Sequence, residues 1–504
     1  MATDLNSFFH AWSDKYNDFL SDESRTTGKA ESISFPENEA EIQGIVKHQL
    51  QKKIPITVQG SRTGITGAAV PNGGHILNLS KMTKVTGLNI DETGQFLIRV
   101  QPGISLSELN QQLESCQFEG QLSGENSLKA LDGLRKSRQQ FWPPDPSEKS
   151  ASIGGMAANN SRGICAYHYG AVSQHIKSIR LIDTQGDIQV VDEHSDIFSR
   201  HLNPQSNNSV NDMGLIFGSE GMLGTITELT LSLQALPSEL WGIVFFFEDE
   251  AQAVNYIQAI SHQGKTESDN TIVAIELMDQ TTLESIRSFK KGNSRLQELP
   301  NIDSRFITAV YLEIHGNDSP VIEELCEWLM EKVADYDSDP DNSWAFSGEN
   351  EIERLRLFRN AAPEAINYLI DQARHSDARI TKLGTDMRFQ GKDALKDQMH
   401  MYRRDLEADG LKAAIFGHAA DGHLHVNILP RDYLQFKKGR KRIEDWAKKI
   451  SAKGGSVATE HGIGKIKKEF FRSIPLPVKS EIIRRIKPQL DPDRLWNPGN
   501  MFDD

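Results

Sequence analysis

Cysteine is scarce: three residues in 504 (Cys116, Cys165, Cys326), too widely spaced for a disulfide framework or for the usual Cys-ligated iron–sulfur or zinc sites. A reducing compartment fits, and a cytoplasmic protein is expected. No run approaches the ~20 apolar residues needed to cross a bilayer, so the expectation is a soluble chain, with room for peripheral contact at the inner membrane face. The opening "MATDLNSFFHAWSDKYNDFLSD" lacks both an apolar core and an Arg-rich face, and reads as neither signal nor transit peptide. Positive charge is also short. A net charge of -14 argues against a general nucleic-acid binder, and the local basic run "FKKGRKR" (436–442) reads as a solvated helix face. No G-x-G-x-x-G follows a strand within a βαβ unit and no G-x-x-x-x-G-K-[ST] occurs, which disfavours dinucleotide-fold and phosphate-loop readings.

What is present is a globular composition, 38% hydrophobic and 25% charged, in a chain long enough for two or three packed units. Ile42, Ile45, Val46 and Leu50 recur at helical spacing, and "IPITV" then reads as a short buried strand before a glycine loop. "GHILNLS", "FLIRVQPG" and "IKSIRLIDTQGDIQVV" read as further strands, the last folded on itself at "DTQGD". The interval 123–150 is polar and holds Pro143, Pro144 and Pro146, so a loop with one helical turn is expected. Beyond "QALPSEL" the strands become strongly apolar ("WGIVFFFE", "TIVAIELMD", "FITAVYLEIHG"), the pattern of an α+β unit with an antiparallel sheet. A boundary at about residue 236 follows. No fixed-period repeat is visible.

Four stretches offer backbone amides to a ligand: "QGSRTGITGAAVPNGG" (59–74), "PPDPSEKSASIGGMAANNSRG" (143–163), "FGSEGMLGTITELTLSL" (217–233) and "LDPDRLWNPGNMF" (490–502). Glycine lets the chain approach a phosphate closely, so successive N–H groups can converge on an anion. In this order and spacing the loops resemble the FAD-linked oxidoreductases with the vanillyl-alcohol-oxidase (PCMH) type of flavin domain, over about residues 34–236. The resemblance implies an α+β fold with a two-subdomain FAD domain. It places Gly60, Ser61, Arg62, Thr63, Gly64, Thr66 and Gly67 at the diphosphate, and Pro144, Asp145, Ser152, Gly154, Gly155, Asn159, Gly163, Glu220, Gly224 and Ile226 along the rest of the cofactor. Some members attach FAD to a histidine in the first loop; Arg62 stands in a loop without one, so dissociable FAD is expected. The charged segment 123–142 is longer than the family usually has.

The stretch "FGHAADGHLHVNILP" holds His418, His423 and His425 within eight positions. If two strands meet across "AADG", alternation puts His423, His425 and Asn427 on one face, within reach of His418. Neutral imidazoles suit borderline divalent metals; histidines bonded to backbone are the plainer alternative. Glu460 and His461 follow in "ATEHGIGK". Together "GHAADGHLHVN", "EHGIG" and "LDPDRLWNPG" resemble the C-terminal domain of FAD-dependent D-2-hydroxyacid dehydrogenases (D-lactate dehydrogenases, glycolate oxidase catalytic subunits, D-2-hydroxyglutarate dehydrogenases), extending coverage to all but the first thirty or so residues.

That resemblance implies domains at 1–33 (an N-terminal helical segment), 34–236 (FAD-binding) and 237–504 (an antiparallel-sheet cap whose last stretch returns to the flavin). It implies a divalent metal (Zn, Mn or Fe) on His418, His425 and Glu460, a catalytic base at His461, substrate contact through Asn427, and Asn497 in the segment returning to the flavin. "LRLFRNAAPEA" resembles the segment supplying a carboxylate-binding arginine, with Arg359 the match and Arg356 the fallback. Lys382 in "TKLGTDM" would add a second positive charge. Ala420 and His423 depart from the family's glycine and asparagine. A plain substitution at 423 is the expectation, with an added ligand or second base as alternatives.

The reaction implied is oxidation of a D-2-hydroxyacid to the 2-oxoacid. The electron acceptor (quinone, cytochrome, electron-transfer flavoprotein or separate iron–sulfur subunit) and a homodimer stay open. Two rival readings are an ether-lipid synthase-like alkyl transfer, whose run of consecutive histidines is replaced here by "ATEHGIG", and a non-catalytic FAD-binding accessory subunit.

Overall fold

The computed structural model describes residues 8–118, 122–202, 210–261 and 270–503; the first seven residues of the N-terminal segment lie outside them. The chain divides into two compact units. The first comprises Met1–Gly163, Ala171–Leu236 and Glu460–Asp504; the second, Ile164–Gly170 and Pro237–Thr459.

In the first unit, a four-stranded sheet runs His10–Ala11, Ser32–Ser34, His75–Asn78, Ile56–Gln59, the last three parallel. The helix Glu39–Gln51 starts where the Asn38 side chain accepts from Glu41 N and buries Ile42, Ile45 and Val46. An antiparallel five-stranded sheet follows in the order Val85–Ile90, Phe96–Val100, Gly224–Ser232, Ile176–Asp183, Ile188–Val191, with the hairpin expected at "DTQGD" closing its last pair.

The interval 123–150 departs from expectation. Glu125–Lys136 forms a 12-residue helix that buries Ser127, Ala130 and Leu134. These recur three and four apart, so one narrow face lies against the edge strand Val85–Ile90, where Ser127 Oγ accepts from Leu88 N, while the polar majority stays in solvent. Overall polarity hid the period. Among the described residues of the N-terminal segment, Asp14–Leu20 forms a 3-10 helix.

The second unit is built on an antiparallel seven-stranded sheet: Trp344–Ser347, Glu239–Phe247, Thr308–Gly316, Thr271–Met278, Ala413–His418, His423–Ile428, Leu383–Gly384. The strands Thr271–Met278 and Thr308–Gly316 are buried at every position. They pack with Phe358, Ala362 and Ile366 of the 28-residue helix Glu349–Ser376. The basic run 436–442 lies on the helix Tyr433–Ala452, where Lys438 and Arg442 pair with Asp409, and Arg440 and Lys441 with Glu444. That pairing leaves little free positive field.

Candidate active site

In the first unit the glycine loops converge. A Cβ on Gly60 would lie 2.2 Å from Ser152 Oγ, and Ser61 N donates to that hydroxyl at 3.3 Å; only a residue without a side chain allows the two loops this close. Gly154 packs on Pro102, Gly155 beside Ser152, and Gly163 on the backbone of Asp145, next to buried Pro144. Gly224 approaches Ile182 O, and Ile226 is buried two residues along the same strand. Thr63, Gly64 and Gly67 complete the first loop, where a Cβ on Gly64 would meet nothing within 4 Å.

Arg62 takes a left-handed φ of 62° and turns toward the N-terminal segment. Its guanidinium donates to Asp18 O and to Ser21 O and stacks over the Phe19 ring at 4.6 Å.

The "EHGIG" loop is held by the same unit. Glu220 is buried, and its carboxylate accepts from Ile463 N (2.6 Å) and Gly464 N (2.8 Å). Burial raises its pKa, against the lowering effect of those two N–H groups and of Lys465. Asn159 Nδ2 donates to Glu460 O (3.1 Å), and Thr66 Oγ1 to His461 O (3.2 Å). His461 Nε2 lies 3.3 Å from Glu460 Oε1. Asn497 ties the terminal segment in: Oδ1 accepts from Val58 N and Nδ2 donates to Glu220 O.

In the second unit the histidines lie on a two-stranded ladder in which His418 faces His423 and Phe416 faces His425. Ring centroids are 4.7 Å apart for His423 and His425, 5.6 Å for His418 and His423, and 6.0 Å for His418 and His425. A ring nitrogen of each lies within 4.8 Å of the others. Every ring has a partner outside the cluster: His418 Nδ1 meets Glu276 Oε1 (2.6 Å), His425 Nδ1 meets Thr385 O (3.2 Å), and His423 Nε2 meets Asp386 Oδ1 (3.1 Å). Asn427, two positions beyond His425, is buried on the same face.

Glu276 also accepts from Arg359 Nε at 2.8 Å. Burial opposes ionisation of this carboxyl, but Arg359 and His418 outweigh it and hold its pKa at about 2. Arg359 is 7% exposed, which replaces the helix-surface reading with a buried charge. Arg356, one turn earlier, is committed to Glu313 through Nε (3.0 Å) and Nη2 (2.7 Å). Lys382 is exposed and donates to Asn367 Oδ1.

Glu276, Asp386 and Glu313 were not singled out in the sequence. A signal existed for two of them, because "AIELM" and "YLEIH" each set one glutamate in an apolar strand, and a buried charge demands a partner. Cys165, Glu313 and His315 form another cluster of metal-ligand types. There the Arg356 guanidinium already neutralises the carboxylate, and a cation would meet a fixed positive charge.

The profile described as FAD linked oxidases, C-terminal domain, matches residues 237–501, and that of an FAD binding domain matches 30–126 and 123–192. The chain belongs to the FAD-linked oxidase family. It is an FAD-linked oxidoreductase with a PCMH-type flavin fold. It is 27% identical to a D-lactate dehydrogenase of Anaerostipes hadrus, across 96% of this chain and 92% of that one. It is 26% identical to the mitochondrial D-lactate dehydrogenase (cytochrome) of Arabidopsis thaliana (93% and 73%), and 23% to a D-2-hydroxyglutarate dehydrogenase of Stutzerimonas stutzeri (94% and 90%). Among solved structures, 4-ethylphenol oxidase from Gulosibacter chungangensis superposes with a TM-score of 0.66 at 14% identity, covering 98% of this chain and 94% of that one. An alkyldihydroxyacetonephosphate synthase does so at 0.60 and 17% (94% and 77%). At such identities these two speak for the fold alone. No helix among the described residues is long and apolar enough to cross a membrane.

Proposed function

We propose that this oxidoreductase converts a small D-2-hydroxyacid, of the lactate, glycolate or 2-hydroxyglutarate kind, to the 2-oxoacid with the help of a divalent metal. One observation carries the reading: a single buried carboxylate, Glu276, binds both the Arg359 guanidinium and the His418 imidazole. A 2-hydroxyacid needs those two devices side by side, a guanidinium for its carboxylate and a cation for its hydroxyl. The donor set fits a metal because each imidazole has an outer partner that sets its tautomer. His418 and His425 would hold the ion, joined by Glu460 as the family resemblance implies. The flavin loops and Glu460–Asp504 would hold dissociable FAD, leaving Pro237–Thr459 to shape the substrate side.

When bound, FAD supplies the two-electron acceptor and the metal supplies the positive charge that makes an alkoxide affordable near neutral pH. Arg359 fixes the substrate carboxylate and aims C2. Asn427 contacts the substrate from the histidine face, and Lys382 adds positive charge nearby. His461 receives the hydroxyl proton at a ring nitrogen, as a general base placed beside Glu460.

Anaerobic mixing with D-lactate, D-2-hydroxyglutarate and glycolate in parallel tests this. At least one should bleach the flavin band, chelation should abolish the bleaching without releasing FAD, and His461→Ala should keep the yellow cofactor but lose ~10²-fold or more in turnover. Bleaching by none of the panel, or full activity after chelation or in His461→Ala, overturns the assignment.

A further inference from the structure

We infer that His423 is a third imidazole ligand of the metal centre, so that this chain offers the ion three nitrogens where a His418/His425 pair would offer two. The inference rests on the metal reading above and adds a residue to it.

Position comes first. His423 faces His418 directly across the ladder and sits two residues before His425 on the same strand face. Of the three rings, His418 and His425 are the farthest apart, at 6.0 Å between centroids, while His423 lies 5.6 Å from one and 4.7 Å from the other. An ion held between the outer two is therefore flanked by the His423 ring.

Tautomers come second. The Thr385 carbonyl can only accept, so His425 carries its proton on Nδ1 and, in the neutral ring, its lone pair on Nε2. The Glu276 carboxylate, ionised beside Arg359, does the same for His418. Asp386, fully buried, accepts from His423 Nε2, which places the His423 lone pair on Nδ1. A carboxylate behind an imidazole is the usual outer arrangement of a ligating histidine: it fixes the ring and raises its basicity. His423 thus has the same construction as His418, with Asp386 in the part played there by Glu276. Asp386 is a positioning residue that acts through the ring.

The chemical consequence is selectivity. A nitrogen-rich set favours zinc, nickel or copper over manganese and magnesium, which prefer oxygen.

The test uses full-length protein stripped of metal, then loaded with Cu(II) alone for pulsed EPR, or titrated with Zn(II) or Mn(II) against a chromophoric chelator. Wild type should show three coordinated imidazoles and His423→Asn two. The Zn(II) Kd should weaken by at least ~10-fold in His423→Asn, and in the same direction in Asp386→Asn, with a smaller change for Mn(II). Two imidazoles in wild type, a count that needs no variant to fold, overturns the inference. So does an unchanged Zn(II) Kd in a folded His423→Asn that still binds one ion. His418→Ala separates the two levels: a wild-type chain that binds no ion, or a His418→Ala protein that binds as wild type does, defeats the metal reading and this inference with it.

Discussion

Glu313 shows how a charge survives in an apolar sheet. Burial opposes its ionisation, yet the two hydrogen bonds from Arg356 and the nearby His315 outweigh that cost and hold its carboxyl well below the usual range. Tyr311 donates to the same carboxylate, and Cys165 Sγ lies 3.5 Å away. Removing one partner of such a pair leaves the other uncompensated, whereas removing both does not. Arg356→Met should therefore cost ~3–5 kcal/mol in urea unfolding, and the Glu313→Leu/Arg356→Met double variant should recover most of it. An unchanged midpoint in the single variant would show that water already reaches the carboxylate. Arg62 teaches the complementary lesson. Its guanidinium is held by Asp18 O, Ser21 O and the Phe19 ring, partners some forty residues earlier in the chain that no local pattern around the glycine loop records.

At the scale of elements, the histidine hairpin depends on a residue with no side chain. Gly417 has φ 129°, and a Cβ there would stand 2.8 Å from His425 Cδ2 and 3.2 Å from His423 O. Gly417→Ala combines backbone strain with a push on the His425 ring. The expected outcome is a folded protein that retains FAD but holds Zn(II) at least ~10-fold more weakly, read by chelator competition. Equal retention would mean that the ladder can shift to absorb a methyl group. The helix Glu125–Lys136 belongs to the same scale: its three buried positions, Ser127, Ala130 and Leu134, make a thin stripe legible only once the sheet edge it covers is known.

Across the whole molecule, charge sets the response to pH. Glu276, at about 2, and Glu313, well below its usual value, are both depressed relative to an unfolded glutamate near ~4.3. Their stabilising contribution is complete above that unfolded value and is lost as pH falls toward the folded ones. Glu220 and Asp279 are raised by burial and act in the opposite sense, costing stability once they ionise. Acid also strips the 70 carboxylates of charge while 56 Lys and Arg remain positive, so repulsion grows. The melting temperature should fall steeply between about pH 4.5 and 2.5. Glu313→Gln, less stable at neutral pH, should show a shallower fall, which scanning calorimetry across that window would reveal; parallel curves would remove Glu313 from the account.

The sequence by itself determined the family, the order of the loops and most of the strands. Those depend on local rules: glycine where backbones meet, alternation along a strand, and motifs whose residues are neighbours in the chain. It also made His418 and His425 stand out, because both lie in one short run. Tertiary structure alone decided the partners. Glu276 is more than 80 residues from Arg359 and more than 140 from His418, and Asp386 is 37 from His423. The pairing of a buried carboxylate with a guanidinium or imidazole is set by which strand lies beside which, and no local pattern records that. The role argued for His423 follows from the same cause: in the chain it is a substitution, and in the sheet it is a ring with an aspartate behind it.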